Sequence, residues 1–152
     1  MGGRVEDFVA GQRWITRGRT IGEGDIVQFA GLAGDWTPIH VDEHFARGTV
    51  HGTRIAHGPL TMAVAIGLFT QLGVLGDGII GLLHLDWNFR AAVKIGDTVH
   101  AEVALLDARL ASKPGTGVAR FAFDVRRDDG VVVQQGAMTV LMRARGTAQQ
   151  RA

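Results

Sequence analysis

Cysteine is missing from all 152 residues, and with it disulfides, thiolate metal sites and a cysteine nucleophile. The absence suits a reducing compartment. Long apolar runs are missing too. The most apolar one, Pro59 to Phe69, falls well short of the roughly 20 residues that span a bilayer, and Met1 to Ala10 is too polar for a signal peptide. A soluble, cytoplasmic protein with no membrane segment is expected. Charge of one sign is scarce, since 16 basic residues against 15 acidic leave +1. Without a basic stripe, that balance gives no footing to a nucleic-acid partner. Proline is down to 3 residues, while 46% of the chain is hydrophobic and 20% charged, a composition that argues against disorder. The 22 glycines follow no G-X-Y period, which excludes collagen.

What is present reads as one domain over residues 1–152, with loose tails over 1–11 and 146–152. A short strand is expected around Trp14 to Arg19. Thr20-Ile-Gly-Glu23 has capping-box spacing, so a helix is predicted from there to about Ala33, burying Ile26, Phe29, Ala30 and Ala33 and ending at a left-handed Gly34. Asp35 to His57 reads as irregular, with one helical turn around Asp42 to Arg47, and stretches this long inside a compact domain are usually functional. Pro59 then opens a helix that is apolar on nearly every side as far as Leu72 and should therefore be buried.

Beyond Gly73 the hydrophobic period changes to two. Leu83, Leu85, Trp87 and Phe89 alternate with His84, Asp86, Asn88 and Arg90, and Val99, Ala101, Val103 and Leu105 repeat the pattern. Phe121, Phe123 and Val125 lead through Asp128-Asp129-Gly130 into a returning strand, Val131 to Arg143, in which Gly136 is read as a bulge. The fold class expected is α+β, an antiparallel sheet of about five strands wrapped around one long buried helix.

Four of the six histidines lie between positions 40 and 57. Three readings compete there. In the first, His44 and His51 are solvated loop residues and His57 is a helix-entry residue hydrogen-bonded to backbone. In the second, His40-Val-Asp-Glu43-His44 is H-x-x-E-H, two histidines one helical turn apart holding zinc while the glutamate handles a proton of bound water. Pro38 would put that motif in a helix's first turn, and no third-ligand motif follows. In the third, Asp35 and His40 are an acid/base pair: Pro38 stiffens a turn that brings the imidazole back beside the carboxylate, and the two share one water molecule. A second feature, Arg54-Ile-Ala-His57-Gly58-Pro59, sets the Gly58 amide at the start of the buried helix, where a free N–H and the helix dipole suit the oxygen of a polarised carbonyl.

At these residues the chain resembles the MaoC-like, (R)-specific enoyl-CoA hydratase family of hot-dog proteins. GDWTPIHVDEHFA resembles the family's G-D-x-N-P-[LIV]-H motif, RIAHGPL its block before the central helix, and FRAAVKIGDTV its F-x-x-P-V-x-x-G-D-T strand-entry block. The resemblance covers roughly residues 20 to 110, in order. It implies a hot-dog fold, Asp35 and His40 as the catalytic pair and Gly58 as backbone oxyanion donor. The implied reaction is reversible syn hydration of trans-2-enoyl thioesters, on CoA or an acyl carrier protein, to (3R)-3-hydroxyacyl thioesters. No metal or redox cofactor is implied, because the thioester itself acidifies C2. A homodimer is implied as partner arrangement, and Arg47, Arg54, Arg90 and Lys94 are candidates for the substrate's phosphates. Thr37 stands where the family has Asn, Ala92 where it has Pro, and no Ser occurs near Ile66 of the central helix. The alternatives are a hot-dog acyl-CoA thioesterase, which commonly carries Asp or Glu on that helix, and a non-catalytic acyl-thioester-binding module.

Overall fold

The period-two stretches all lie in one antiparallel sheet of the computed structural model, which describes residues 3–146. The sheet has 6 strands: β1 (Arg13–Ile15), β2 (Arg19–Thr20), β3 (Ile79–Phe89), β4 (Thr98–Leu110), β5 (Thr116–Arg127) and β6 (Val132–Arg143). Their order is β1-β4-β5-β6-β3, with β2 also on β4. The strand expected around Trp14 to Arg19 is thus two short ones on a shared edge. Between them Thr16 leaves the ladder, and its hydroxyl accepts from the Ala101 amide at 2.9 Å. The β5–β6 hairpin turns at Asp128-Asp129-Gly130 as expected, with the Arg127 amide donating to Val131 carbonyl.

Among the described residues four α-helices stand between β2 and β3: α1 (Glu23–Ala33), α2 (Pro38–Val41), α3 (Glu43–Arg47) and α4 (Gly58–Thr70). The sheet wraps α4. Leu60, Val64, Ala65, Leu68 and Phe69 of that helix form one core with Val99, Val103, Phe121, Phe123, Met138 and Val140 of the sheet. Phe69 is fully buried, with rings of Trp14, Phe121 and Phe123 set edge-on or tilted at 5.1–5.7 Å. Burial of one such ring is worth about 2–3 kcal/mol.

Four expectations change. The N-terminal cap of α1 is not the Thr20–Glu23 box, because Thr20 is held in β2 against Thr98. Gly22 is the cap instead, its amide donating to the Asp25 carboxylate at 2.8 Å. Residues 3–11 are not a loose tail. Val5 is buried above Gly117, where a Cβ would lie 2.4 Å from its methyl, and the Phe8 ring meets Phe121 edge-on at 5.4 Å. Arg145 pairs with Asp7, and its amide donates to Glu6. The other expected tail falls, from residue 147 on, outside the described residues.

Gly136 sits in unbroken register opposite both Phe123 and Trp87, so it is no bulge; it is where the Trp87 ring lies flat on the strand. Within β3 the alternation fails at both ends. Register shifts follow Ile79 and Leu82, and Leu83 and Phe89 stand exposed together with Ile79, Ile80 and Leu82. Among the described residues β3 pairs only with β6, which leaves its other edge open.

Candidate active site

The site begins where α1 stops. Gly34 takes φ +75°, a left-handed conformation that any side chain would strain, and its amide closes the helix on Ala30 carbonyl. The chain therefore turns sharply into Asp35. Thr37 holds that carboxylate from two sides, its hydroxyl donating to Asp35 Oδ1 at 2.5 Å and its amide at 3.1 Å. These two bonds, aided by the nearby imidazoles, keep the Asp35 carboxyl below the usual carboxylate range. The Thr that replaces the motif's Asn is thus a clamp on Asp35.

Pro38 opens α2, and two residues on His40 lies buried at 8% exposure. Its Nδ1 is 2.8 Å from the Ile55 carbonyl. A carbonyl only accepts, so Nδ1 carries a hydrogen, and it is Nε2 that is left to face the site. That Nε2 faces Asp35 Oδ2 at 3.9 Å. The gap is too long for a direct hydrogen bond and suits one bridging water.

Ile55 is placed from two sides: its amide donates to Ile39 carbonyl, and it bridges to Lys94. His57, the N-cap of α4, is 1% exposed. It is a helix-entry residue bonded to backbone, as one reading expected, with Nε2 donating to the Asp35 carbonyl at 3.0 Å. Its ring also stacks on His40 at 3.9 Å between centroids. The stack is the feature that sequence reasoning missed.

Gly58 is the first residue of α4, where an amide has no carbonyl four residues back to donate to. A cavity of about 300 Å³ opens in front of it, walled by His40, Gly58, Thr61, Phe89, Arg90 and Gln134 among others. A Cβ at Gly58 would lie 2.8 Å from the Phe89 ring. Behind Gly58, Trp87 Nε1 donates to Gln134 Oε1 at 2.9 Å and Gln134 Nε2 donates to the Gly58 carbonyl at 2.9 Å. The first turn of α4 is thereby tied to β3 and β6. A glutamine in an otherwise apolar inward row was the one sequence signal for this chain of bonds.

The candidate cations separate. Arg54 bridges α3 and α1, with Nε on Glu43 at 2.7 Å and Nη1 on Glu23 at 2.6 Å. It is held in ion pairs rather than turned to the cavity. Arg47 is exposed beside Glu43 at 3.6 Å, and Lys94 bridges to Ile55 through its backbone. Arg90 lines the cavity.

The H-x-x-E-H pattern is not assembled as a metal site. His40 and His44 fall on two different short helices, His44 is exposed, and Glu43 is bonded to Thr53 and Arg54. Asp35, His40 and His57 do offer ligand atoms within 4.8 Å of one another. Two imidazoles on one metal must aim their in-plane lone pairs at a point about 2.0–2.1 Å away. Stacked rings whose planes differ by 25° direct theirs nearly side by side, so this trio does not fit a shared ion.

Thr53 and Arg54 also pull the Glu43 carboxyl from 4.5 to about 2. A carboxyl depressed by folding contributes stability above its unfolded value, and that contribution is lost as pH falls through the folded one. Urea midpoints of the wild type should therefore drop between pH 4.5 and about 2 by more than those of Glu43→Gln, which should be the weaker protein at neutral pH. Parallel acid limbs for the two would remove Glu43 as the clamp between α3 and the loop before α4.

Comparison with known proteins follows the same lines. The family model for the MaoC like domain matches residues 7–124. The chain is 39% identical to the (R)-specific enoyl-CoA hydratase of Rhodospirillum rubrum, across 93% of this chain and 92% of that protein. It is 41% identical to the 3-hydroxybutyryl-CoA dehydratase of Methylorubrum extorquens, across 67% and 63%. In shape it matches a Mycobacterium tuberculosis protein described as having a double hotdog fold, with TM-score 0.82 and 17% identity over 99% of this chain and 47% of that one. The likeness gives the fold: one hot-dog unit, a sheet wrapped around a helix.

Proposed function

This chain belongs to the MaoC-like domain family, and we propose that it catalyses the reversible syn hydration of trans-2-enoyl thioesters to (3R)-3-hydroxyacyl thioesters. The observation that carries the reading is the 3.9 Å gap between Asp35 Oδ2 and His40 Nε2, two fixed acceptors facing each other at the distance a single water spans. A water held there donates one hydrogen to each and keeps a lone pair for C3 of the substrate. As its oxygen bonds to C3, the C2–C3 double bond becomes single, one proton passes to the pair, and the pair delivers a proton to C2 on the same face. Charge that develops on the thioester oxygen is taken by the Gly58 N–H and the positive end of α4. Dehydration is the same path reversed.

The acyl group arrives on CoA or an acyl carrier protein, whose phosphates suit Arg90 at the cavity wall. The reaction belongs to fatty-acyl metabolism, and a cysteine-free enzyme of this kind fits the reducing cytoplasm. No helix among the described residues is long and apolar enough to cross a membrane. A hot-dog thioesterase commonly carries a carboxylate on the central helix, and α4 has none. The test is loss of enoyl absorbance when the protein is added to crotonyl-CoA and to longer enoyl-CoA thioesters. No hydration of any of them would sink the reading and leave an acyl-thioester-binding module.

The working form is a homodimer. A long apolar edge such as β3 promotes association unless it is covered, and two copies related by a two-fold cover it by pairing β3 with β3. Leu82→Lys, on the exposed part of that strand, should halve the mass measured by sedimentation velocity. A monomeric wild type would overturn this arrangement.

A further inference from the structure

One buried polar side chain at the site, His57, is neither a member of the pair nor the oxyanion donor, and it does not line the cavity. Burying an imidazole is costly unless its polar atoms find partners. Here Nε2 has one, the Asp35 carbonyl, while Nδ1 has none among the described residues. A group left half satisfied in a closed interior needs a reason, and its two contacts supply one. The Nε2–H holds the backbone of Asp35, whose side chain is 46% exposed on an irregular, exposed turn. One face of the ring lies on His40, with planes 25° apart, and Phe29 meets the ring at 4.9 Å. Both halves of the water-holding gap are thus referred to a single rigid group at the N-terminus of α4, next to Gly58.

We infer that His57 is a positioning residue, fixing the separation of Asp35 and His40 through a hydrogen bond to the first and a ring stack on the second. The inference rests on the hydratase reading for its effect on rate, but the clamp itself has an independent readout. The geometry requires His57 in the Nε2–H tautomer and His40 in the Nδ1–H tautomer, since each faces a carbonyl with that nitrogen. The two variants that separate the contacts are His57→Phe, which keeps a ring to stack and loses the donor, and His57→Gln, which keeps an N–H donor and loses the ring.

Imidazole nitrogen correlation spectra of the labelled wild-type protein should give those two tautomers, with His57 assigned by its disappearance in the variants. In His57→Gln, where the lost stack frees the ring to turn from the Ile55 carbonyl, His40 should shift to a mixture of tautomers, whereas in His57→Phe, which keeps a stacked ring, it should hold the Nδ1–H form. In both variants the kcat for crotonyl-CoA should fall on the order of 100-fold, the size of effect that a displacement of about 1 Å produces, while KM stays within about twofold. A purely structural histidine would lower the melting temperature and leave the His40 tautomer and kcat of the folded fraction alone. Wild-type His57 in the Nδ1–H tautomer overturns the inference without any variant. So does a folded Phe variant with wild-type kcat, or a folded Gln variant with wild-type kcat and an unchanged His40 spectrum. If the wild type hydrates no enoyl thioester, the hydratase reading fails, and the spectra still decide whether His57 holds the pair.

Discussion

His40→Ala should lower kcat for hydration of crotonyl-CoA by about 10³-fold, within the 10²–10⁴-fold range typical for loss of a general acid/base group. Asp35→Asn should lower it comparably. In the first variant the water loses the acceptor at Nε2; in the second it loses the anionic acceptor at Oδ2, and the amide is a poor base. KM should change little in either, because Gly58, the start of α4 and the cavity wall apart from His40 are left in place. The double variant should be scarcely worse than the worse single one, since the two groups act on one water as a unit. His40→Ala also leaves the Ile55 carbonyl without its donor and opens space beside His57, so some loss of stability, about 1–3 kcal/mol, is expected with it. Asp35→Asn carries less of that burden because the side chain is partly exposed. If both variants turned over crotonyl-CoA at the wild-type rate, the water would have to be activated elsewhere.

Gly136→Val should damage the fold severely. A Cβ there would lie 2.3 Å from the Trp87 ring and 2.5 Å from the Asp86 carbonyl oxygen, and the second of these is backbone of a paired strand. Neither can withdraw without opening the β3–β6 ladder or lifting the indole out of its contact with Phe123. Overpacking of this kind costs about 3 kcal/mol, which corresponds to a melting temperature lower by about 6–12 °C in a domain of this size. The damage should reach the chemistry as well. Trp87 donates to Gln134 and Gln134 to the Gly58 carbonyl, so a displaced indole releases the first turn of α4 that carries the proposed oxyanion amide. Thermal unfolding followed by circular dichroism gives the first effect, and kcat of the folded protein below its transition gives the second. A melting temperature within about 2 °C of the wild type would mean that the ring and strand shift together more freely than the packing allows.

Local physics made much of this legible in the amino-acid order. A strand declares its buried face through alternation, so Val99, Ala101 and Val103, or Phe121, Phe123 and Val125, needed no partner to be read as inward, and all six are buried. The left-handed stop at Gly34, the turn at Gly130 and the proline-led entries of α2 and α4 depend on backbone preferences of a few neighbouring residues. The Asp35–His40 spacing belongs to the same class, because a proline-stiffened turn between them can bring the imidazole back beside the carboxylate.

Only the folded chain decided the rest, for a physical reason that is the same each time: a contact between residues far apart in sequence leaves no local trace. Val5 and Phe8 sit in a polar stretch that reads as a tail until Gly117 and Phe121 are brought beneath them. Arg54 looks like a free cation until Glu23, 31 positions earlier, comes within 2.6 Å of it. Leu83 and Phe89 fit an inward pattern, yet both stand exposed: Leu83 falls in a register slip of the edge strand β3, and Phe89 lies at the open cavity against Gly58. The stack of His57 on His40 is of the same kind. From the sequence His57 was one more polar residue at a helix start; the packing of α2 and α4, with α3 between them in the chain, made it the ring against which the proposed water site is set. Composition and spacing thus determined which groups are available, and long-range packing determined which of them stand at working distance.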